Sequence, residues 1–411
     1  DFFGLNDGDD VETQIAQATA VLERIDPALL PRLPLLGPVL NLPIPDNDLT
    51  ASLDAKIRKS SLEALLAACL EARARLQPLL IVLEDTHWLD PLSHDLIGVV
   101  GRAIHNLPVL LLLVYRPPDR ERRQMPPVAD LPYFTEMTLA EFTTQEAHRL
   151  IELKLAQFFG EDTAVPDTFQ ALVTERAAGN PFYIEEMLNY LSDLGIDPQD
   201  AEQLATLDLP DSIHSLILSR IDQLNERQQI TIRVASVIGR LFPAAMVWGV
   251  YPELGETAVV RQDLNLLSEM ELTPLDTPEP ELTYLFKHIL TQQVAYESLP
   301  FATRARLHDE IGRYIEQRYH QNLAPFLDLL AFHYDRSENE AKRRYYLVEA
   351  GRAAQAKYAN AAAIDYYRRG LALLPDDEQA AALLDLGAVL EPVEEAQEGL
   401  NANNWIKSFL T

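Results

Sequence analysis

Two carboxylates follow directly on a short apolar run in "LLIVLEDTHWLD" (79–90), where Leu79 to Leu83 precede Glu84 and Asp85. The run contains β-branched residues, follows Pro78 and is short for a helix, so it favours a strand buried on both faces of a parallel sheet over a buried helix. Ligands of open α/β sheets bind beyond the carboxyl ends of the strands, where carboxylates can meet a metal ion or a phosphate. The run therefore predicts a ligand site at Glu84 and Asp85.

An arginine follows the next apolar run in the same way. Arg116 ends "PVLLLLVYR" (108–116), and a segment of helix length, from about Pro91 to His105, joins the two runs. A strand–helix–strand unit of this kind is parallel and right-handed by strong preference, so Arg116 is predicted at the same sheet edge as the two acids. Two other interpretations stay open: the acids cap the helix near Pro91, and the arginine is a solvated surface residue.

Most of the remaining chain has the three- and four-residue apolar spacing of helices. Residues 11–77 predict two such helices around a connection that five prolines break into loop or short turns. "MTLAEF" (137–142) predicts one more strand, and a helix follows that is capped by Thr143 or Thr144.

The second half of the chain predicts helices in two further groupings. Before them, "GNP" separates two helices, where Gly179 suits a helix C-cap and Pro181 the first turn of the next helix. Residues 210–320 then predict three helices and a short β segment, which is the outline of a winged-helix domain. From about 321, alanine, tyrosine and leucine recur in paired helices that resemble tetratricopeptide repeats, whose unit is about 34 residues.

Composition excludes several classes of protein. The 411 residues carry a formal net charge of −29, from 34 basic and 63 acidic residues, which disfavours nucleic acid and anionic membranes as partners. Cys69 is the one cysteine, which excludes an internal disulfide and a cysteine-cluster zinc site, and it is predicted to be a small core residue. No apolar run reaches the roughly 18 residues of a membrane span. The sequence predicts a cytoplasmic protein of about three domains.

Six segments, taken in order, resemble a known family. They are "LTASLDAKIRKSSL", "LLIVLEDTHWLDPLSHDLI", "LLLLVYRP", "AAGNPFYIEEML", "LPDSIHSLILSRIDQL" and "FKHILTQQVAYESLPFATRARLHDEIGRYIE". With them the chain resembles, over nearly its whole length, the regulatory ATPase region of STAND signalling proteins. This AAA-like class is attached to bacterial adenylate or guanylate cyclases, protein kinases and LuxR-type regulators.

The resemblance implies a multidomain fold of the α/β plus all-α class. Its parts are a partial P-loop NTPase parallel sheet (1–136), a helical lid (137–207), a winged helix (208–320) and the start of a TPR-like α-solenoid (321–411). The implied ligands are ATP or ADP with Mg²⁺. The implied partners are proteins bound by the repeats, an effector domain outside this chain and, in a ligand-dependent oligomer, further copies of the protein.

The resemblance also implies roles for the residues at the sheet edge. By position Glu84 would hold Mg²⁺, usually through water, and Asp85 would orient or activate the attacking water, while the reverse division of these tasks stays open. Arg116 would act as a sensor near the γ-phosphate, because a guanidinium distinguishes ATP from ADP by charge.

Three more residues match family elements that contact the nucleotide. Gly179 and Pro181 match a glycine-x-proline element that packs beside adenine. His288 in "FKH" occupies the place of a winged-helix histidine that touches the β-phosphate. A structural histidine beside an apolar strand is the alternative interpretation of His288.

One motif of the family is missing. The sequence has no G-x-x-x-x-G-K-[ST] loop, whose backbone amides and lysine hold the phosphates. In the family this loop lies upstream of the segment that corresponds to residues 1–77. A fragment cut off after the loop is one explanation, and a pseudo-ATPase that has lost the loop is the other. In both cases this chain alone is expected to bind nucleotide poorly.

Two functions of different classes follow as hypotheses. The first is a regulatory switch that binds and hydrolyses ATP and controls a nucleotide cyclase, a kinase or a transcription regulator. The second is a non-catalytic scaffold, in which a decayed nucleotide fold, a winged helix and repeats bind only protein. DNA binding through the winged helix is disfavoured, because its third predicted helix, "ETAVVRQDLNLLSEMELT", carries a single basic residue, Arg261.

Overall fold

The chain divides into two compact units. A computed structural model describes residues 3–5, 9–40, 42–89, 91–116, 126–160, 166–196, 200, 210–278, 282–356 and 359–396. Unit 1 comprises residues 1–136 and 344–411, and unit 2 comprises residues 137–343.

Unit 1 begins with helices and continues with a strand–helix–strand segment. In chain order its first elements are α1 (Val11–Ile25), a 3-10 helix (Pro27–Leu36), the short α2 (Gly37–Leu40) and α3 (Asp48–Ala51), α4 (Ala55–Leu76), β1 (Leu79–Leu83), α5 (Pro91–Ala103) and β2 (Val109–Leu113). Side chains cap the two long helices, since Asp10 accepts from the amide of Thr13 and Asp54 from that of Ile57. Both helices were predicted from the apolar spacing.

A small apolar core holds α1, the 3-10 helix and α4 together. Its members include Leu22, Leu35, Leu36, Leu65 and Cys69. Cys69 is buried as predicted, and burial raises the pKa of its thiol to about 11. The thiol therefore stays protonated and serves as a small core residue.

β1 and β2 pair in parallel, as predicted, in a register that runs from Leu79 opposite Val109 to Leu83 opposite Leu113. The prediction that these strands are buried on both faces is wrong. Leu80 and Leu110, which lie opposite each other, are 65% and 63% exposed. The sheet has only these two strands among the described residues of unit 1, and no described element covers this face.

Unit 2 is helical apart from a small sheet. Its elements in chain order are α6 (Thr144–Phe159), α7 (Asp167–Ala177), α8 (Pro181–Asp193), α9 (Ile213–Asp222), α10 (Glu226–Ile238), β3 (Leu241–Pro243), α11 (Ala244–Val250), α12 (Thr257–Glu269), β4 (Leu275–Thr277), β5 (Thr283–Leu285), α13 (Ile289–Glu297), α14 (Phe301–Arg318) and α15 (Leu327–Asp335). We call α6–α8 the lid segment, and α9–α14 with β3–β5 the winged segment.

The lid segment begins with a capping box at Thr143, one of the two caps that the sequence predicted. The Thr143 hydroxyl accepts from the amide of Glu146, while the Glu146 carboxylate accepts from the amide of Thr143. The strand predicted for 137–142 is wrong, because these residues form no regular structure and pair with no strand in the described part of the chain. Met137 and Leu139 are largely exposed there, since an isolated apolar strand has no sheet to join.

The predicted β segment of the winged segment is β5, the central strand of a three-stranded antiparallel sheet in the order β3-β5-β4, and β3 and β4 were not predicted. Phe242 and Tyr284 lie opposite each other and are fully buried in it. Helices α9, α10 and α12 correspond to the three that were predicted, and α11 was missed. The junction predicted between lid and winged helix, at 207 and 208, falls outside the described residues.

The chain ends, within the described residues, in packed helices: α16 (Glu340–Ala356), α17 (Asn360–Leu371) and α18 (Asp376–Ala396). A Cβ on Gly351 of α16 would lie 2.8 Å from the ring of Tyr367 in α17, so a glycine is required for this close approach. Residues 397–411, which the repeat prediction includes, are outside the described residues. No described helix is both long and apolar enough to cross a membrane.

Candidate functional site

The predicted sheet edge in unit 1 is formed by a backbone ladder that continues past the strands. The amide of Val114 donates to the carbonyl oxygen of Leu83 at 2.9 Å, and the amide of Thr86 donates to the carbonyl oxygen of Val114 at 3.0 Å. Glu84 and Asp85 therefore lie in the loop between these two hydrogen bonds, and Arg116 lies two residues beyond Val114. The structure brings all three to one edge, as the parallel pairing requires.

The two acids at this edge are open to solvent. Glu84 and Asp85 are both exposed, and Arg116 is exposed as well. Arg116 forms no ion pair with either acid within the described part of unit 1. Asp85 makes no side-chain cap hydrogen bond to the short 3-10 helix Thr86–Trp88 that follows it. The interpretation of the acids as caps for α5 stays a prediction, because position 90, directly before α5, lies outside the described residues.

Asp85 has a backbone conformation that residues other than glycine rarely adopt. Its φ is 54° and its ψ 34°, in the left-handed region. The described residues contain three such non-glycine positions, the others being Ala178 and Glu271. Strain of this kind concentrates at functional sites, where surrounding contacts hold it in place. Here the hydrogen bonds to Val114 on both sides of the loop fix the turn.

His87 is a neighbour of Asp85 that the sequence did not single out. Its Nε2 lies 4.0 Å from Oδ1 of Asp85, and its side chain is nearly buried. The ring lines a cavity with room for about one water molecule, which His94 and Tyr115 also line. In the sequence, only the position of His87 two residues after Asp85 indicated that it lies beside the acids.

The donor set at the edge suits Mg²⁺ better than a transition metal. Two adjacent exposed carboxylates provide hard oxygen ligands, and Mg²⁺ is usually held by one or two carboxylates together with water and phosphate oxygens. In the part of the chain that the structure describes, no group of three or more His, Cys, Asp or Glu side chains forms a complete metal site. The residues therefore fit a magnesium ion that arrives with a phosphate ligand.

The "GNP" element in unit 2 forms a tight turn between α7 and α8. Ala178 and Gly179 both have positive φ, of 46° and 80°, and the Gly179 carbonyl accepts from the amide of Phe142 at 2.8 Å. A Cβ at Gly179 would lie 2.7 Å from the Phe142 carbonyl oxygen, so only glycine fits. Asn180 caps α8, whose first residue is Pro181. The predicted turn and the place of Pro181 are confirmed, but the C-cap of α7 is Ala178, so the prediction of Gly179 as the cap is wrong by one residue.

His288 lies beside this element. Its ring centroid is 3.9 Å from that of Phe182, the residue that follows Pro181, and its Nε2 is 3.8 Å from Oε2 of Glu185. Nε2 has no hydrogen-bond partner among the described residues. Burial lowers the pKa of His288, although the carboxylates of Glu186 and Glu185 oppose this shift. The imidazole is therefore neutral at pH 7 and half-buried at the foot of α8.

A network of charged side chains, which the sequence analysis missed, surrounds Glu185. Its Oε1 is 2.7 Å from Nζ of both Lys154 and Lys287, and Lys287 also donates to Glu271 at 2.6 Å. Burial raises the pKa of Glu185, but the hydrogen bonds from the two lysines outweigh burial and lower the pKa to about 2. The partners are up to 117 residues apart in the chain, so no local pattern could reveal them.

The structure thus gathers the predicted site residues in two places. In unit 1, the sheet edge carries Glu84, Asp85 and Arg116. In unit 2, Gly179 and Pro181 lie at the start of α8, and His288 contacts Phe182 of the same helix. Their proposed roles toward a nucleotide stay predictions.

Comparisons with known proteins give limited likeness. No protein-family model matches the chain. An uncharacterized protein of Rhizobium meliloti (strain 1021) is 28% identical over 357 residues, which are 84% of this chain and 33% of that protein. A Signal Transduction ATPase with Numerous Domains (STAND) protein with a tetratricopeptide repeat sensor, from Pyrococcus horikoshii, aligns with a TM-score of 0.46 and 11% identity over 97% of this chain and 56% of its own. The chain spans about a third of the length of the curated relative that it matches.

Proposed function

We propose that this chain is the regulatory part of a signalling switch of the STAND class, which binds and hydrolyses ATP and controls an effector domain outside the chain. The observation that carries the proposal is the parallel pairing of β1 and β2, because it puts Glu84, Asp85 and Arg116 at one exposed sheet edge. Two acids and an arginine at such an edge suit a phosphate ligand with a divalent cation. Candidate effectors are a nucleotide cyclase, a kinase and a transcription regulator.

The three residues at the edge would divide the contacts with magnesium, water and the γ-phosphate in this proposal. Glu84 and Asp85 would hold Mg²⁺, which supplies charge neutralisation for phosphoryl transfer when it is bound. Asp85 would also orient the attacking water, and the strained turn fixes its carboxylate for this task. Arg116 would distinguish ATP from ADP by the charge of the γ-phosphate.

The residues of unit 2 would bind the rest of the nucleotide. Gly179 and Pro181 form a rigid turn that would meet the adenine, and His288 would meet the β-phosphate. The support is that Phe182 and Glu185, which follow Pro181 in α8, contact the His288 ring. A neutral imidazole can donate one hydrogen bond to a phosphate oxygen without a fixed charge.

The exposed face of the β1–β2 sheet supports the proposal that a further segment completes the nucleotide fold. Parallel sheets are normally covered on both faces, yet Leu80, Val82, Leu110 and Leu112 are exposed on one face here. We propose that a segment with the phosphate-binding loop covers this face in a longer protein. In that longer protein the repeats α16–α18 would bind a separate protein partner.

Calorimetry tests this function. Affinity for Mg-ATP and Mg-ADP would be measured on this chain and on a version that the parent gene extends upstream by about a hundred residues, roughly one small domain. Tight binding by the extended version alone is the expected result. Absence of binding by both versions would favour the non-catalytic scaffold and would leave the two acids without a ligand.

Asp85→Asn in the extended version separates binding from chemistry. Hydrolysis should fall by about a hundredfold or more, because positioning the attacking water contributes on the order of 10² to 10⁴ in rate, while affinity for Mg-ATP should change little. Glu71→Gln, which removes an exposed acid of α4, is the matched control and should leave turnover unchanged. Full turnover in the Asp85 variant would overturn the assignment.

A further inference from the structure

Arg220 is completely buried and links its own helix, α9, to two other elements of unit 2. Its guanidinium donates to Oε2 of Glu186 at 2.7 Å and Oδ2 of Asp193 at 2.8 Å, both in α8, and to the carbonyl oxygen of Met270 at 2.8 Å, at the C-cap of α12. The side chains of Arg220 and Glu186 are 0% and 1% exposed. One residue of α9 thereby joins the last helix of the lid segment to the far end of a helix in the winged segment.

The neighbours of these residues form a second layer of the same connection. Glu185 precedes Glu186, and Glu271 follows Met270. Lys154 of the lid segment contacts both Glu185 and Glu271, at 2.7 and 3.4 Å, and Lys287 of the winged segment donates to both. Glu271 reaches this position through a left-handed backbone, with φ of 57°. Each segment therefore contributes a lysine that pairs with a glutamate of the other segment.

An apolar core runs across the same boundary. Leu216 of α9 is buried with Tyr183, Ile184 and Leu188 of α8, and the hydroxyl of Tyr183 donates to the carbonyl oxygen of Pro210 at 2.6 Å. α9 also packs against α13 of the winged segment. The two segments therefore share a helix whose apolar face belongs to both.

We propose that Arg220, with Glu186, Asp193 and Met270, is a clamp that holds the lid segment and the winged segment as one rigid body. A ligand at Gly179, Pro181 and His288 would then move both segments together. This inference rests on the proposed function only for the identity of that ligand. We call these four residues the Arg220 clamp.

The physical basis of the clamp is the cost of a partial opening. A small displacement would break the charged hydrogen bonds before water could replace them, and a buried charge without its partner is strongly unfavourable. A full separation would hydrate the charges but would also expose the apolar face of α9. The donors of the planar guanidinium point in fixed directions, so the three hydrogen bonds form together only when the three oxygens keep these positions. Sliding of one segment on the other is therefore opposed at every stage.

Distance measurements between spin labels test the clamp in the full chain. In a Cys69→Ala background, one label at Glu175→Cys in α7 and one at Gln262→Cys in α12 report the distance between the segments. A control pair at Gln262→Cys and Ala302→Cys reports the winged segment alone. The expected result is one narrow peak for the first pair, which broadens or splits with Arg220→Met while the control pair stays unchanged.

Arg227→Met is the matched control substitution. Arg227 donates to Asp263 at 2.5 and 3.0 Å, and Asp263 is 1% exposed, but this pair lies wholly within the winged segment. The variant should leave the distance between the segments narrow. Equal broadening by Arg227→Met, or no broadening by Arg220→Met, would overturn the clamp.

A second variant and a second measurement cover the case in which Arg220→Met fails to fold. Glu186→Gln with Arg220→Met removes both buried charges, which proteins often tolerate. In this double variant the amides of α9 should lose protection from hydrogen exchange by roughly tenfold to a hundredfold, since a buried hydrogen-bonding group is left unsatisfied. Unchanged protection in α9 together with an unchanged distance would overturn the inference.

Added Mg-ADP separates this inference from the proposed function. If calorimetry shows binding, the distance between the labels should stay the same, and a shift would overturn the clamp while the proposed function stands. If calorimetry shows no binding, the proposed function fails for this chain, and the ligand-free distances of the Arg220 and Arg227 variants decide on the clamp alone.

Discussion

The carboxylates of Glu186 and Asp193 in unit 2 are held by Arg220, whereas those of Glu84 and Asp85 in unit 1 face solvent. The first pair is buried or nearly so, and the side chain of Asp85 is 54% exposed. The first cluster has strong protein partners, while the second has a strained turn and room for a ligand.

The difference teaches how to separate structural from functional acids in this chain. A buried carboxylate with a charged partner is committed to the fold, because its removal leaves the partner unpaired. An exposed carboxylate on a strained turn contributes little to folding and is free to bind a cation. Substitutions should therefore affect stability at one cluster and ligand binding at the other.

Arg220→Met should have the largest effect on stability. It leaves two buried acids without their partner, which costs about 3 to 5 kcal/mol of the free energy of unfolding. Urea unfolding would measure this loss in the transition of unit 2, which the fluorescence of Trp248 in α11 reports. Glu84→Gln should change the unfolding free energy of unit 1 by less than about 0.5 kcal/mol. Equal losses for both variants would remove the distinction between the clusters.

A second buried cluster should make unit 2 sensitive to acid. Nδ1 of His308 lies 2.9 Å from Nδ1 of His333, and the hydroxyl of Tyr296 is 3.0 Å from Nε2 of His308. Burial lowers the pKa of His308 to about 4, and the nearby Arg336 and Arg304 add to this shift. Burial also lowers the pKa of His333 to about 3, where His308 and Arg336 add to the shift.

The sign of the pH dependence follows from these shifts. The unfolded histidines bind protons below about pH 6.5, while the folded ones stay neutral, so the stabilisation is complete above pH 6.5 and is lost as the pH falls towards 4 and then 3. His308 alone accounts for a loss on the order of 3 kcal/mol, and urea unfolding between pH 7 and 4 would measure it. Replacing His308 with Phe and His333 with Leu should flatten this slope. The exposed His320 is the control, and His320→Gln should leave the slope unchanged.

Three substitutions at left-handed positions should separate strain from ion pairing. Ala178→Gly relieves strain alone and should stabilise unit 2 by about 1 kcal/mol. Glu271→Gly also loses the contacts with Lys154 and Lys287, so it should destabilise unit 2 by about 1 kcal/mol. Asp85→Gly should leave unit 1 as stable as before or up to about 1 kcal/mol more stable. Thermal unfolding gives all three values, and a clear destabilisation by Asp85→Gly would mean that Asp85 serves the fold.

The exposed sheet face should give the smallest effect in this chain. Leu80→Thr with Leu110→Thr should change the unfolding free energy by less than about 0.5 kcal/mol, because the side chains are already in water. In the extended version each change should cost about 1 to 3 kcal/mol, if the added segment covers the face. Leu65→Thr, in the buried core of unit 1, is the control that should be costly in both versions. Equal values for the sheet variants in both versions would show that the face stays open.

The sequence was most informative where structure depends on near neighbours. The extent of β1, the capping box at Thr143 and the turn at Gly179 and Pro181 all follow from the chemistry of adjacent residues, and all three are present. The parallel pairing could also be predicted, because the handedness of strand–helix–strand units is nearly fixed. The shared edge of Glu84 and Arg116 follows from that pairing.

What could not be predicted depends on distant contacts. The burial of β1 is set by the elements that cover its sheet, so an apolar run alone could not show that one face is open. The residues around His288 come from helices more than a hundred positions earlier in the chain. Arg220 did leave a local trace, because it shares the buried stripe of α9 with Leu216, Ile217 and Ile221. A charged residue in such a stripe indicates a buried partner without naming it.

The clamp has a consequence for the evolution of the sequence. Because the guanidinium of Arg220 compensates two carboxylates, a mutation of Arg220 leaves both acids unpaired, and a mutation of Glu186 or Asp193 leaves the arginine with one acid only. Apolar replacement of the buried charges is acceptable only when they change together. Across relatives, positions 186, 193 and 220 should therefore vary as a set, whereas Glu84 should vary independently of all three. Such coupled substitution would record the clamp in the family history without any measurement on this protein.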